Sequence, residues 1–320
     1  MDALERAAAV IEQSPLVALA CHVTPDGDAL GSMLAMHLLC RSQSKASVAS
    51  FPEPFVVAPH YTYLPGLDLV TKPADFPEAP PVMVTFDCGS LDRLNELAEP
   101  AREAGELIVV DHHATNESYG SINLLDADAA ASAVMVYRLA KRLGWPIKRD
   151  VAICLYTGIV TDTGRFQYSN TSPEVLEMAT ELSRFDLPIA EMSRQLFEEH
   201  RFAYLQLIAA VLQRAELDVQ RRFVATWITN DDLNRFGVEL DEAEGLIDIV
   251  RRTAEADVSC VLKESVDGTR VSLRSVTDFD VAAIAIRFGG GGHRAAAGFT
   301  DPRPIPEVLA DIRAQLPIQR

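Results

Sequence analysis

The chain has 320 residues, 48% of them hydrophobic, and carries 46 acidic against 29 basic side chains, a formal net charge of -17. That length and apolar content support packed cores, best divided over two domains, and exclude a disordered chain. The charge excludes a protein that grips long nucleic acid through its backbone, which takes a basic face to displace counterions.

The opening MDALERAAAVIEQS reads as an amphipathic helix with no basic leader region or cleavage site, and no apolar run approaches the ~18 residues of a membrane span. A cytoplasmic protein without a membrane partner is expected. Cys21, Cys40, Cys88, Cys154 and Cys260 are scattered and show no C-x-x-C spacing, which argues against a disulfide framework or a zinc knot and for a reducing compartment. Three short apolar runs then end abruptly in polar residues: LVALA before Cys21 and His22, VMVTF before Asp87, and ELIVV before Asp111. Such runs, separated by helical segments such as Asp28 to Arg41, predict buried parallel strands with crossover helices, an α/β sheet. The stretch Phe51 to Pro81 holds eight prolines and reads as edge structure and loops with little function.

From Ser172 the pattern turns helical: SPEVLEMATELSRF has a serine N-cap and proline at the first helical position. A second helical stretch, Ile189 to Leu217, leads out of the first domain. The boundaries expected are 1–185 for the catalytic domain, 186–206 for a helical linker and 207–320 for the second domain. In that second domain RFVATWIT, ADVSCVLKES and TRVSLRS read as strands, the last two joined through Val266, Asp267 and Gly268 as a hairpin, with a helix around Glu242 to Arg252. This is a smaller α+β domain, and it ends in GGGGHRAAAGF.

If Leu16 to Ala20 is a parallel strand, His22, Asp26 and Asp28 lie just beyond its carboxyl end, where open α/β sheets place their ligand crevice. Asp87 and the cluster Asp111, His112 and His113 follow apolar strands in the same way, and Asp162 closes a further apolar segment, YTGIVTD. Carboxylates cannot crowd together uncompensated, because each raises its neighbour's pKa. Divalent cations resolve this, and imidazoles mixed with several carboxylates suit Mn²⁺ or Mg²⁺ better than structural zinc. Taken singly, His22 or His112 also reads as a capping or surface histidine, and Asp26 and Asp28 as an N-cap and a turn residue. In the second domain, four glycines, Gly289 to Gly292, stand before a segment read as helical, HRAAAG. They would bring backbone N–H groups and a helix dipole to an anion. Arg274 lies on a strand ending at the same region, and its planar fork suits a terminal phosphate. A flexible hinge and a surface salt bridge are the plainer readings of these two features. Arg165 could touch a phosphate and Tyr168 stack on a base, with structural roles equally open. His37, His60 and His200 match no motif.

HVTPDGDALGS, DCG at Asp87, DHH at Asp111 to His113 and GIVTDTGRF resemble the four motifs of the DHH phosphoesterase superfamily in their family order. SLRS at Ser272 to Ser275 and GGGGHRAAAGF at Gly289 to Phe299 are similar to its DHHA1 companion domain. The length and two-domain plan most resemble the bacterial nanoRNase/pAp phosphatase group. The resemblance implies an active crevice between the two domains. It assigns one Mn²⁺ to His22, Asp26 and Asp87 and a second to Asp28, Asp87, His112 and Asp162, with Mg²⁺ or Co²⁺ as possible substitutes. Asp87 would bridge the ions, Asp111 would orient the neighbouring histidines, and His113 would face the substrate and serve it as a hydrogen-bond or proton donor. Arg274, His293 and the backbone of Gly290, Gly291 and Gly292 would grip substrate, with Arg165 beside them. The implied reaction is two-metal hydrolysis of short RNA oligonucleotides, pAp or linear dinucleotides such as pApA. Cyclic di-AMP hydrolysis and a catalytically silent nucleotide sensor are the alternatives. Family II pyrophosphatases share the first domain's pattern and differ in the second, and RecJ-type exonucleases are longer. A homodimer is expected, with the helix around Val134 to Leu143 either supplying an interface or facing the sheet.

Overall fold

In the computed structural model, which describes residues 2–318, the chain divides into two compact units between Glu199 and His200. In chain order, the first unit runs α1 (Ala3–Gln13), β1 (Leu16–Cys21), α2 (Gly27–Ser42), β2 (Ala46–Ser50), β3 (Val82–Phe86), α3 (Ala98–Glu103), β4 (Glu106–Asp111), β5 (Ile122–Leu125), α4 (Ser132–Leu143), α5 (Arg149–Asp162), α6 (Pro173–Ser183) and α7 (Ile189–Phe197). Its strands form a parallel sheet of order β2-β1-β3-β4-β5. β1, β3 and β4 are buried along almost their whole length, as strands covered by helices on both faces must be. The chain leaves β1 toward β2 and returns to β3 on the other side. This reversal opens a crevice at the carboxyl ends of β1 and β3, where His22 and Asp87 emerge.

Helix α2 is buried on nearly every side and is approached closely by α5. A side chain at Gly31 would stand 2.4 Å from the Cys154 carbonyl oxygen, and one at Gly158 would come within 2.7 Å of both Ala133 and an Asp28 oxygen. The two glycines therefore let three helices meet around Asp28. Helix α6 begins as expected, Ser172 accepting from the Val175 N–H. The proline-rich stretch folds as loops with short turns at Pro59–Tyr61, Leu67–Leu69 and Pro73–Asp75. Val134, Val136, Leu139 and Ala140 of α4 are buried in the core of this unit, so they face the sheet side and supply no exposed interface.

The second unit comprises α8 (Phe202–Gln213), β6 (Glu216–Asp218), β7 (Phe223–Ile228), α9 (Asn230–Phe236), α10 (Leu246–Val250), β8 (Val258–Ser265), β9 (Gly268–Ser275), α11 (Val281–Arg287), β10 (Gly291–His293), β11 (Ala296–Asp301) and α12 (Ile305–Gln315). Its mixed sheet has the order β10-β11-β9-β8-β7-β6, with the expected hairpin between β8 and β9.

Three expectations change here. The segment HRAAAG is not a helix: Gly291–His293 and Ala296–Asp301 pair as antiparallel strands, Gly292 opposite Ala297. Alternation decides this against alanine's helix propensity, since Ala297 and Phe299 are buried while Ala296 and Gly298 are half-buried. Gly289, at φ 77°, ends α11 instead. The stretch Ile189 to Leu217 is broken by the polar residues Glu198 to Arg201 into α7 and α8, and Leu217 already belongs to β6. The helix expected over Glu242 to Arg252 is a 3₁₀ turn at Leu240–Ala243 followed by the short α10, with Gly245 between them.

Alanine in place of a glycine in a solvated helix stabilises it by about 1 kcal/mol. At Gly31 the sign should reverse, because the new methyl group meets Cys154 backbone. Urea unfolding of Gly31→Ala is expected to show a loss of about 1–3 kcal/mol, the usual cost of overpacking; a gain would mean that α2 and α5 separate easily.

Candidate metal centre

The residues after β1, β3 and β4 converge with the end of α5. Asp26 caps α2, one oxygen accepting the N–H groups of Asp28 (3.1 Å) and Ala29 (3.0 Å). Its other oxygen lies 3.9 Å from His22 Nε2. Capping and site membership are thus two faces of one carboxylate. His22 Nε2 is also 3.6 Å from Asp87 Oδ2. On the far side of Asp87, His112 Nε2 stands 3.4 Å from Oδ1, 3.1 Å from Asp162 Oδ2 and 3.8 Å from Asp28 Oδ2. Asp87 therefore turns one oxygen toward each histidine. Two sets of donor atoms close enough to hold an ion share it: His22, Asp26 and Asp87, and Asp28, Asp87 and His112, the latter with Asp162 beside it.

Both histidines are oriented from behind. His22 Nδ1 lies 2.8 Å from the Val23 carbonyl oxygen and His112 Nδ1 3.1 Å from that of Ala129. A carbonyl oxygen only accepts, so Nδ1 of His112 carries the hydrogen and its Nε2 is the atom turned to the carboxylates; His22 Nδ1 also lies 3.0 Å from the Arg93 guanidinium, a donor, so the carbonyl alone does not set its tautomer. Asp28, wholly buried, sits at the N-terminus of α4. It accepts the Ser132 N–H (2.5 Å), the Ala133 N–H (2.9 Å) and the Ser32 hydroxyl (3.2 Å). The Ser132 hydroxyl donates to Asp87 Oδ1 at 3.1 Å. Asp111 is also buried and accepts from His113 Nδ1 at 2.7 Å, and the His113 ring keeps partial exposure.

The charges follow from this crowding. Burial first, then the neighbouring Asp87 and Asp162, push the Asp28 carboxyl well above the usual carboxylate range. Burial also lifts Asp162, to about 6, against the opposing His112. At Asp87 burial works upward as well, but the imidazoles of His112 and His22 overcome it and hold the carboxyl well below its ordinary value. Burial would lower His112; the carboxylates of Asp162 and Asp87 outweigh it and push the ring up to about 12. In the metal-free chain a proton on His112 stands where positive charge is needed. Hard carboxylate oxygens, with imidazole nitrogens turned to them, are the donor set a divalent cation such as Mn²⁺ or Mg²⁺ takes.

Arg165 follows α5 in a left-handed conformation, φ 64°, and its guanidinium lies 4.9 Å from the centre of the Phe197 ring, a packing contact. Tyr168 packs on Gly164. In the second unit Arg274 is half-buried on β9, opposite Ser259 and Ala296, and its guanidinium donates to the Leu273 carbonyl oxygen at 3.0 Å. A side chain at Gly290 or Gly292 would strike the backbone of β11, at 2.2 Å from Gly298 O and 2.5 Å from Ala296 O, whereas Gly291 faces open space and His293 ends β10. Two of the three glycines are thus explained by strand packing. Ser132, Ser32 and Asn116, whose amide donates to Asp111, escaped the sequence reading. Ser132 is hidden in an alanine-rich run, and its only local signal is its place at the start of a helix.

The DHH family, N-terminal domain, matches residues 16–159, and the DHHA1 domain matches residues 221–316. Over 290 residues the chain is 31% identical to the bifunctional oligoribonuclease and PAP phosphatase NrnA of Thermus thermophilus, covering 88% of this chain and 83% of the relative. It is 28% identical over 285 residues to the Bacillus subtilis protein of the same name, covering 87% and 86%. Its fold is that of an exopolyphosphatase-related protein from Bacteroides fragilis, with a TM-score of 0.89 at 24% identity over 98% of this chain and 94% of that one. The paired family matches, together with the oxygen and imidazole donors gathered at the sheet's carboxyl edge, place this chain in the metal-dependent DHH phosphoesterase family, in the form that carries a DHHA1 domain.

Proposed function

We propose that the chain is a Mn²⁺-dependent hydrolase of short oligoribonucleotides, pAp and linear dinucleotides such as pApA, releasing mononucleotides. The observation that carries this reading is the buried Asp87 shared between two donor sets. His22, Asp26 and Asp87 would hold one ion, and Asp28, Asp87, His112 and Asp162 the other. Bound there, the ions would supply Lewis acidity toward the phosphoryl oxygens and lower the pKa of water near the phosphorus. The chain's own part is positional: the Ala129 carbonyl orients His112, the Val23 carbonyl and Arg93 flank Nδ1 of His22, α4 fixes Asp28, and Asp111 fixes His113 so that its outer nitrogen can hydrogen-bond a phosphoryl oxygen or protonate the leaving group. Arg274, Gly291 and His293 would grip the far phosphate or base, with Gly290 and Gly292 shaping the strand that carries them.

Two relatives named as oligoribonucleases and PAP phosphatases, similar over most of their length, support the substrate class. The charge of -17 supports short substrates over long polyanions. Five buried, unpaired cysteines fit a reducing cytoplasm. A homodimer and a division into catalytic domain, linker and substrate domain near residues 186–206 belong to the same reading.

Because His112 is protonated at neutral pH, taking up Mn²⁺ should release at least one proton per chain at pH 7. Release should grow, and affinity fall, as the pH drops through about 6 and Asp162 protonates. Calorimetric titration in two buffers of different ionisation enthalpy reads the proton count; heats independent of the buffer would contradict the ligand set. Mononucleotide and phosphate release from pAp, pApA, cyclic di-AMP and a 24-mer RNA should require Mn²⁺, favour the short linear substrates and fall by more than about 100-fold in Asp87→Asn, a larger loss than an outer partner's removal causes. Tight binding of these nucleotides without turnover in any metal would instead identify a nucleotide sensor.

A further inference from the structure

Asp87 is a non-glycine residue in the left-handed region, at φ 53°. That conformation costs roughly 1–3 kcal/mol and persists only where its surroundings hold it. On one side the Asp87 N–H donates to Val110 O at 3.0 Å and extends the β3–β4 ladder. On the other side lies the peptide carbonyl of Cys88, which two side chains from beyond β4 grip: Asn116 Nδ2 at 3.1 Å and the Tyr119 hydroxyl at 3.0 Å. The Glu117 N–H adds a bond to Gly89 O at 3.0 Å.

Asn116 reaches further. Its Nδ2 also donates to Asp111 Oδ2 at 2.5 Å, while its Oδ1 accepts the Ser118 N–H at 2.7 Å. Every neighbour of Nδ2 is an acceptor and the neighbour of Oδ1 is a donor, so the amide has only one orientation. Tyr119 is fixed by the same logic: it donates to Cys88 O, so the Thr85 hydroxyl, 2.9 Å away, donates to it.

We infer that Asn116, supported by Tyr119, is a positioning residue for the phosphoesterase reaction. One amide ties the turn that aims Asp87 to the carboxylate that aims His113, and so sets the spacing between the shared metal acid and the substrate-facing imidazole. Asp111 Oδ1 accepts both the His113 ring and, at 3.2 Å, the His113 N–H, while Asn116 is the side chain that holds Oδ2; without the amide the carboxylate loses that second anchor and the ring shifts with it. The inference rests on the phosphoesterase reading, and its test separates the two.

The experiment compares wild type, Asn116→Ala and Tyr119→Phe for kcat and KM on pAp, Mn²⁺ affinity and melting temperature of the Mn²⁺-loaded chain, with a crystal structure of Asn116→Ala. A loss of about 10- to 100-fold in kcat is expected for Asn116→Ala, the size seen for outer partners of metal sites, with KM, Mn²⁺ affinity and melting temperature close to wild type. Tyr119→Phe should lose less. In the crystal His113 should have left Asp111 Oδ1. Unchanged kcat in an active background, or a loss that tracks Mn²⁺ affinity or melting temperature, would overturn the inference. A wild type inactive on every substrate would refute the phosphoesterase reading, and an undisturbed His113 in the crystal would then overturn the positioning role as well.

Discussion

Everything at the carboxyl edge of the first sheet depends on keeping two carboxylates, Asp28 and Asp87, out of water and close together. Each carries a desolvation cost, and their mutual repulsion adds to it. The chain offsets this unequally. Asp28 receives two backbone N–H groups and the partial positive charge of a helix start, which act whether or not an ion is present. Asp87 relies on imidazoles, whose positive charge is a proton that a cation can displace. The first acid is thus fixed by the fold, while the second is left responsive to what binds.

That arrangement explains packing that otherwise looks wasteful. Helix α2 must enter the core almost completely for Asp28 to reach the start of α4, and helices approach so closely only where side chains are missing. Gly31 and Gly158 supply the gaps, the second of them beside the Asp28 oxygen itself. The site is therefore built before any ligand arrives, by glycine contacts on the side away from solvent.

Much of this could be read from the chain. Apolar runs cut off by His22, Asp87 and Asp111 announced both the strands and the edge at which their acids meet, because a buried parallel strand has one periodicity and its carboxyl end one location. Two kinds of information were not local enough to read. Ala296 to Phe299 has helix formers in a strand, and only the alternate burial supplied by β9 decides between them. Ser132 and Asn116 act across 45 and 28 residues of sequence, so nothing near them marks the hydrogen bonds they make. A glycine run preceding a polar segment gives the same sequence signal for an anion-binding helix start as for an edge strand, and the steric contacts of Gly290 and Gly292 separate the two.

The left-handed backbone at Asp87 also bears on how such a chain can change over time. Of the residues that accept this conformation at small cost, glycine would remove the side chain altogether, and asparagine would keep its shape, its acceptor for Ser132 and its turn. Aspartate and asparagine codons differ by a single base. The fold therefore lies one nucleotide change from a form that keeps its architecture and loses the charge at its centre.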